Sequence, residues 1–157
     1  MGQILNWKKK LIAPNALRLG HNEARALLVR ATIAYGKVPS AAKRVAELCL
    51  PHFEYEEKNV FPILALLPDL QRGELRREMM DIMPLVNDFR EKHELANAQH
   101  QSILAAVDDL LDDTRSDKNS EFAEFAYNVR VHEKIEDEVI YPTVILIGNY
   151  LQEHLAN

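Results

Sequence analysis

The sequence predicts an all-α protein: an antiparallel up-down-up-down four-helix bundle preceded by an N-terminal arm. Glycine is scarce, with five among 157 residues, and apolar residues recur at three- and four-residue intervals in four long segments. No stretch of four or more residues alternates apolar and polar side chains as a half-buried strand would. Short connections between the first and second helices, and between the third and fourth, imply antiparallel neighbours.

A break at Pro14 separates the two parts of the chain, because proline interrupts a helix. Residues 1–15 are interpreted as the arm, and residues 16–157 as the bundle. The arm should pack on the bundle through its apolar side chains. These side chains are Ile4, Leu5, Trp7, Leu11 and Ile12. The alternative is a contact of its lysines with a membrane surface or a partner.

Turn-forming residues set the expected limits of the helices. The first helix should end at Gly36, and the second should follow Ser40, which is a plausible N-cap. The third helix should span residues 85–111 and lead into a solvated acidic loop at residues 112–119. The fourth should start near Ser120.

Composition narrows the functional classes. The formal net charge of −5 and the lack of a basic stripe argue against a nucleic-acid partner. The longest apolar runs are far too short for a membrane span, and the first residues lack the apolar core of a signal peptide. Cys49 is the single cysteine, so no internal disulfide can form. We therefore expect a cytoplasmic protein.

Two stretches, in the second and fourth predicted helices, share one pattern. They run from His52 to Pro62 and from His132 to Pro142, and each reads His-x-x-x-Glu, four further residues, an aromatic residue and proline. Residues four apart lie on the same face of a helix. Each stretch therefore directs an imidazole and a carboxylate at one point. The carboxylates are those of Glu56 and Glu136.

A lone histidine accompanies each of these stretches at a matching distance. His21 precedes His52 by 31 residues, and His100 precedes His132 by 32. At a rise of about 1.5 Å per residue, antiparallel helices bring each lone histidine level with the neighbouring His/Glu pair. The chain is thus a pseudo-repeat, and six residues should meet at one depth. They are His21, His52, Glu56, His100, His132 and Glu136.

Bound cations would stabilise such a cluster. A buried carboxylate without a partner costs several kcal/mol, and no lysine or arginine is expected to face inward. Two metal ions would compensate the carboxylates and accept the imidazole lone pairs, and this donor set suits iron, manganese or zinc. A single His-x-x-x-Glu pair is usually a solvated helix face, and one buried histidine is usually a hydrogen-bonded core residue. Two such pairs in register, each with a matching histidine, favour a metal site over both of these alternatives.

In these residues, and in the Phe-Pro and Tyr-Pro endings of the two stretches, the chain resembles the hemerythrin-like, or HHE cation-binding, domain family from His21 to Pro142. The resemblance implies a non-haem di-iron centre in a four-helix bundle, usually with a bridging oxo or hydroxo group. Its implied ligands are His21 and His52 for one iron, His100 and His132 for the other, and Glu56 and Glu136 as bridges.

The third predicted helix departs from the oxygen carriers of that family, which have a His-x-x-x-His pair there. The residues four before and four after His100 are Ala96 and Leu104. His93 is seven residues away, roughly 10 Å along the axis. We interpret His93 as a core histidine or a hydrogen-bonding neighbour of the site, with replacement of His100 as the alternative. A set of four histidines and two glutamates is more similar to hemerythrin-like proteins that handle nitric oxide, repair iron centres or sense iron and oxygen.

The expected function is that of a di-iron protein whose open coordination position takes O₂, NO or a peroxide, in binding, sensing or iron and stress handling. The first alternative is an enzyme that reduces nitric oxide or peroxide, or one that repairs iron centres. Turnover would need an electron donor, and the chain has no redox cysteine pair. The second alternative is a structural bundle whose histidines bind adventitious zinc or nothing.

Several neighbouring side chains have open roles. Metal-bound imidazoles usually donate their second N–H to a carboxylate or a carbonyl. Glu23, Glu47 and Glu133 are close enough in sequence to be such partners. Tyr55 and Tyr141 are expected to pack rather than to line the site.

Overall fold

The computed structural model describes residues 11–156, and within that range all regular structure is helical, without a strand. The predicted all-α class is confirmed for this range. None of these helices is long and apolar enough to cross a membrane. The elements are α1 (Asn15–Thr32), α2 (Val38–Asn59), α3 (Phe61–Leu64), α4 (Leu67–Gln71), a 3₁₀ helix (Arg77–Ile82), α5 (Met83–Ser116), α6 (Ser120–Ile135), a π-helical segment (Glu136–Ile140) and α7 (Tyr141–Leu155).

The long helices pack in the order of the chain. Helix α1 contacts α2, α2 contacts α5, and α5 contacts α6. Helix α6 also contacts α1, and an ion pair between Arg30 and Glu121 joins the two. Helix α7 continues from the π-helical segment and packs on α5. Buried side chains of α1, α2, α5 and α6 meet in one apolar cluster.

Only the end of the predicted arm falls within the described residues. Leu11 packs against the core, as expected, and Ala13 is buried, whereas Ile12 is exposed. The expectations for Ile4, Leu5 and Trp7 lie outside the described residues.

A polar layer divides the core into two apolar clusters. Phe53 of α2 belongs to one cluster and Val60, just after α2, to the other, with the buried Glu56 between them in the sequence. Along α5, the buried His100 lies just before Ile103 of the first cluster. The polar side chains are thus surrounded by apolar ones, where an unpaired polar group is costly.

Three expected boundaries are wrong. Helix α1 ends at Thr32, four residues before Gly36. Helix α2 begins at Val38, so Ser40 lies inside it; Pro39 occupies the first turn, where its missing N–H does no harm. The acidic segment after the third predicted helix is not a loop, because α5 continues to Ser116. Thr114 in that last turn is buried, so the segment is part of the packed structure.

The N-terminus of α2 is capped by a residue that is distant in sequence. Asp117, which follows α5, accepts hydrogen bonds from the backbone N–H groups of Lys37 (2.7 Å) and Val38 (3.2 Å). Gly36 allows this approach: its φ is +85°, and a Cβ there would lie 2.3 Å from Asp117 Oδ2. The carboxylate therefore satisfies N–H groups that have no partner within the helix, and it ties α2 to the α5–α6 connection.

A π-helical turn ends the second of the two stretches that share the histidine pattern. Proline cannot donate to the carbonyl four residues earlier, and its ring crowds that carbonyl. The wider turn Glu136–Ile140 stands immediately before Tyr141 and Pro142 and accommodates both effects. In the first stretch, the same sequence pattern ends α2 at Asn59 instead. Proline thus interrupts both helices soon after their glutamate.

Replacing Asp117 with alanine should lower the free energy of unfolding by about 1 kcal/mol, since helix caps contribute about that much. The measurement is urea unfolding of the metal-free protein. Asp112→Ala is the control, because Asp112 is exposed and, among the described residues, its side chain pairs with Arg115 of its own helix. Equal losses for the two variants would contradict the cap.

Candidate metal centre

The structure brings the six predicted residues together in the polar layer. Five of them are buried, and only the side chain of His132 is partly accessible, at 24%. The contributions are His21 from α1, His52 and Glu56 from α2, His100 from α5, His132 from α6 and Glu136 from the π-helical segment. These residues form a buried His/Glu cluster that could hold metal.

The donor atoms form two groups that share both carboxylates. In each group all the atoms lie within 4.8 Å of one another. The two histidine Nε2 atoms are 3.0 Å apart in one group and 2.9 Å apart in the other. Two donor atoms that bind one ion at about 2.1 Å and at right angles lie about 3 Å apart. The first group is His21, His132, Glu56 and Glu136, and the second group is His52, His100, Glu56 and Glu136.

The implied pairing of the histidines is wrong. The expectation joined the two histidines of each sequence half, whereas the structure pairs His21 with His132 and His52 with His100. Spacing along the chain fixes the level of a side chain in the bundle, but it does not fix which neighbouring helix that side chain faces. Because α1 contacts α6 as well as α2, both pairings are compatible with the same positions of the histidines along the bundle axis.

Two acidic residues orient the lone histidines. Nδ1 of His21 lies 2.9 Å from Glu57, and Nδ1 of His100 lies 2.7 Å from Asp137. A proton held on Nδ1 by a carboxylate leaves the Nε2 lone pair free for a metal. Each acidic residue directly follows one of the shared glutamates in the sequence. An acidic residue at the same position of both stretches was therefore the signal that could have identified them.

A third carboxylate lies beside the second group. Glu133 is 1% exposed, and its Oε2 is 3.0 Å from His100 Nε2 and 3.8 Å from His52 Nε2. Neither of its oxygens has a hydrogen-bond partner among the described residues. Glu133 thus faces the cluster, whereas the other two expected partners, Glu23 and Glu47, are exposed.

The two tyrosines have different roles. Tyr55 donates to Asp88 (3.0 Å), away from the cluster. Tyr141 donates to Glu56 Oε1 (2.7 Å) and stacks on the His100 ring, with the centroids 5.2 Å apart. Burial and Glu56 raise the pKa of Tyr141 far above its usual value, so the hydroxyl keeps the proton that it donates. The expectation that Tyr141 only packs is wrong.

His93 lies outside both groups. Its ring makes edge contacts with Phe89 (centroids 5.5 Å apart) and with Tyr141 (5.9 Å apart). Since Tyr141 stacks on His100, one ring separates His93 from the site.

Protons balance the charge of the metal-free cluster. Burial alone would lower the pKa values of His21 and His100, but Glu136 and its neighbours raise both to about 9. Burial and the charge of Glu136 raise the pKa of Glu133 to about 7. Burial would also raise the pKa of Glu136, yet the four surrounding imidazoles hold it well below its usual value. The cluster therefore attracts positive charge, which metal ions would supply in place of protons.

An apolar cavity of about 220 Å³ opens beside His132. Leu27, Phe53 and Phe125 are among the residues that line it. A small uncharged molecule could approach the first group through this cavity, past the one partly accessible histidine.

Metal binding should weaken as the pH falls, because the ions must displace protons from imidazoles whose pKa values are about 9. Zinc affinity should rise between about pH 6.5 and 9, by about tenfold per unit for each proton displaced. The raised pKa of His21 stabilises the metal-free protein fully only at pH values below the pKa of this histidine in the unfolded chain. The free energy of unfolding of the metal-free protein should therefore fall over the same pH window.

Calorimetric zinc titration in buffers of different ionisation enthalpy counts the protons released. An affinity independent of pH, with no proton release, would contradict the charge balance described above.

No protein-family model matches the chain, and comparisons with curated proteins and with solved structures also find no match.

Proposed function

We propose that this protein is a hemerythrin-like di-iron protein that binds O₂, NO or a peroxide and acts in sensing, ligand binding or iron and stress handling. The proposal includes an up-down-up-down arrangement of the four long helices and a cytoplasmic location. One observation carries it: two pairs of imidazole nitrogens, each at ligand spacing, share the same two buried carboxylates. A shared pair of carboxylates is the arrangement that bridges two metal ions in a helical bundle.

The unsatisfied polar atoms support two cations in this layer. Within residues 11–156, the buried side-chain oxygens without a hydrogen-bond partner all belong to Glu56, Glu133 and Glu136. Orphaned acceptors in an apolar core are costly, and metal ions bound between the carboxylates would satisfy them. The nitrogen and oxygen donors suit iron, and they would also accept zinc or manganese.

Each neighbouring residue has a defined task in this proposal. Glu57 and Asp137 hold two imidazoles with Nε2 toward the metal positions, and Arg25 in turn binds Glu57 at 2.7 Å. Tyr141 fixes the orientation of Glu56. When bound, the two iron ions would supply an exchangeable coordination position and reversible oxidation. The apolar cavity beside His132 favours a small, uncharged ligand over an ionic substrate.

The enzymatic alternative requires electrons from another protein or a cofactor. Cys49 is the single cysteine and is buried, so the chain offers no dithiol pair to receive them. This favours ligand binding and sensing over turnover.

Protein produced with ample iron should contain two iron ions per chain, and the reduced form should bind NO stoichiometrically under anaerobic conditions without forming N₂O. Iron analysis and gas chromatography measure the two quantities. Glu56→Ala and Glu136→Ala should each lower the iron content below one per chain, since each removes a shared ligand. Glu138→Ala is the matched control, because its side chain is 64% exposed.

Rapid N₂O formation would favour the enzyme. Iron below one per chain in the unchanged protein, unaffected by the two glutamate substitutions, would contradict the di-metal centre.

A further inference from the structure

Glu133 is the one buried carboxylate of the polar layer that the six-residue set leaves out. It is as buried as Glu136, and both its oxygens lack hydrogen-bond partners among the described residues. The groups nearest to it are His100 Nε2 at 3.0 Å and His52 Nε2 at 3.8 Å. These are the same nitrogens that would bind the second metal ion.

Metal binding would leave Glu133 without the two imidazole N–H groups that lie nearest to it. Asp137 holds a proton on Nδ1 of His100, so metal binds Nε2 through its lone pair and that nitrogen carries no hydrogen. His52 Nδ1 lies 3.3 Å from the amide oxygen of Gln99, so His52 Nε2 would likewise bind metal without a hydrogen. The hydroxyl of Tyr141 is directed at Glu56 instead. In the metal-loaded protein, therefore, Glu133 would be an orphaned buried carboxylate unless it also reaches the ion.

The distances allow Glu133 to reach that ion. His52 Nε2, His100 Nε2 and Glu133 Oε2 are separated by 2.9, 3.0 and 3.8 Å. Donors at about 2.1 Å from one ion are about 3 Å apart at right angles and just over 4 Å apart when opposite. All three separations fall in this interval or at its edge, so the three atoms fit one coordination sphere.

We propose that Glu133 is a terminal ligand of the metal held by His52 and His100. The inference rests on the di-metal centre proposed above. Adjacent residues of a helix point about 100° apart, so α6 would supply His132 to one ion and Glu133 to the other. The ion at His52 and His100 then has five protein residues around it, and the ion at His21 and His132 has four. The exchangeable position therefore belongs to the second of these ions, which is the one beside the cavity.

The test compares ⁵⁷Fe(II)-loaded wild-type protein with Glu133→Gln, which keeps the shape of the side chain and removes its charge. Glu133→Asp is a second variant, which keeps the charge on a shorter arm. Glu138→Gln is the matched control, since Glu138 is exposed and lies on the following turn. The readouts are iron affinity and Mössbauer spectra of the same samples.

The wild type and the control should show two distinct iron environments of equal area. In Glu133→Gln one of the two iron environments should change, and the affinity for that iron should fall at least about tenfold. A tenfold loss is the lower end of the range seen when a residue that only hydrogen-bonds a metal ligand is removed. Glu133→Asp should recover part of that affinity.

Two iron ions with unchanged affinity and unchanged spectra in Glu133→Gln would overturn the role of Glu133 while leaving the di-iron centre intact. A wild type that holds fewer than two iron ions would overturn the proposed function itself.

Discussion

Buried negative charge is the constraint on which the rest of this structure depends. Glu56 and Glu136 lie between two apolar clusters, and within residues 11–156 no lysine or arginine pairs with either of them. Four imidazoles surround them, at distances that suit either shared protons or shared metal ions. Because a carboxylate in such a place costs several kcal/mol without a cation, the packed core and a metal-occupied site would stabilise each other. The helices hold the ligands, and the ions would allow the helices to close around them.

The two sequence halves build the site as a pseudo-repeat, and the exceptions to that repeat distinguish its two sides. Each half supplies a lone histidine, a His-x-x-x-Glu pair and an acidic residue that orients the lone imidazole. Only the second half places a further carboxylate, Glu133, in the cluster, and only the first group borders the apolar cavity. Under the proposed function, a nearly symmetric scaffold would thus give two unequal metal positions, one enclosed and one open to a small ligand.

The sequence alone predicted the helices and the convergence of the six residues, because helical rise and hydrophobic periodicity are local properties. It could not supply the pairing of His21 with His132, which depends on the angular positions of the helices and not on levels along them. The cap from Asp117 to α2 joins positions eighty residues apart and has no local signal. Glu133 was visible only as a neighbour of His132, since the face that it occupies depends on how α6 rotates against α2 and α5.

Anomalous X-ray scattering at the iron edge, from crystals of protein purified with its metal, tests the central claim most directly. Two peaks about 3.5–4 Å apart are expected in the polar layer. One peak should lie beside His21 and His132 and the other beside His52 and His100, with Glu56 and Glu136 in contact with both. A single peak, peaks confined to the protein surface, or a layer of imidazoles and carboxylates without scattering metal would contradict the di-iron centre.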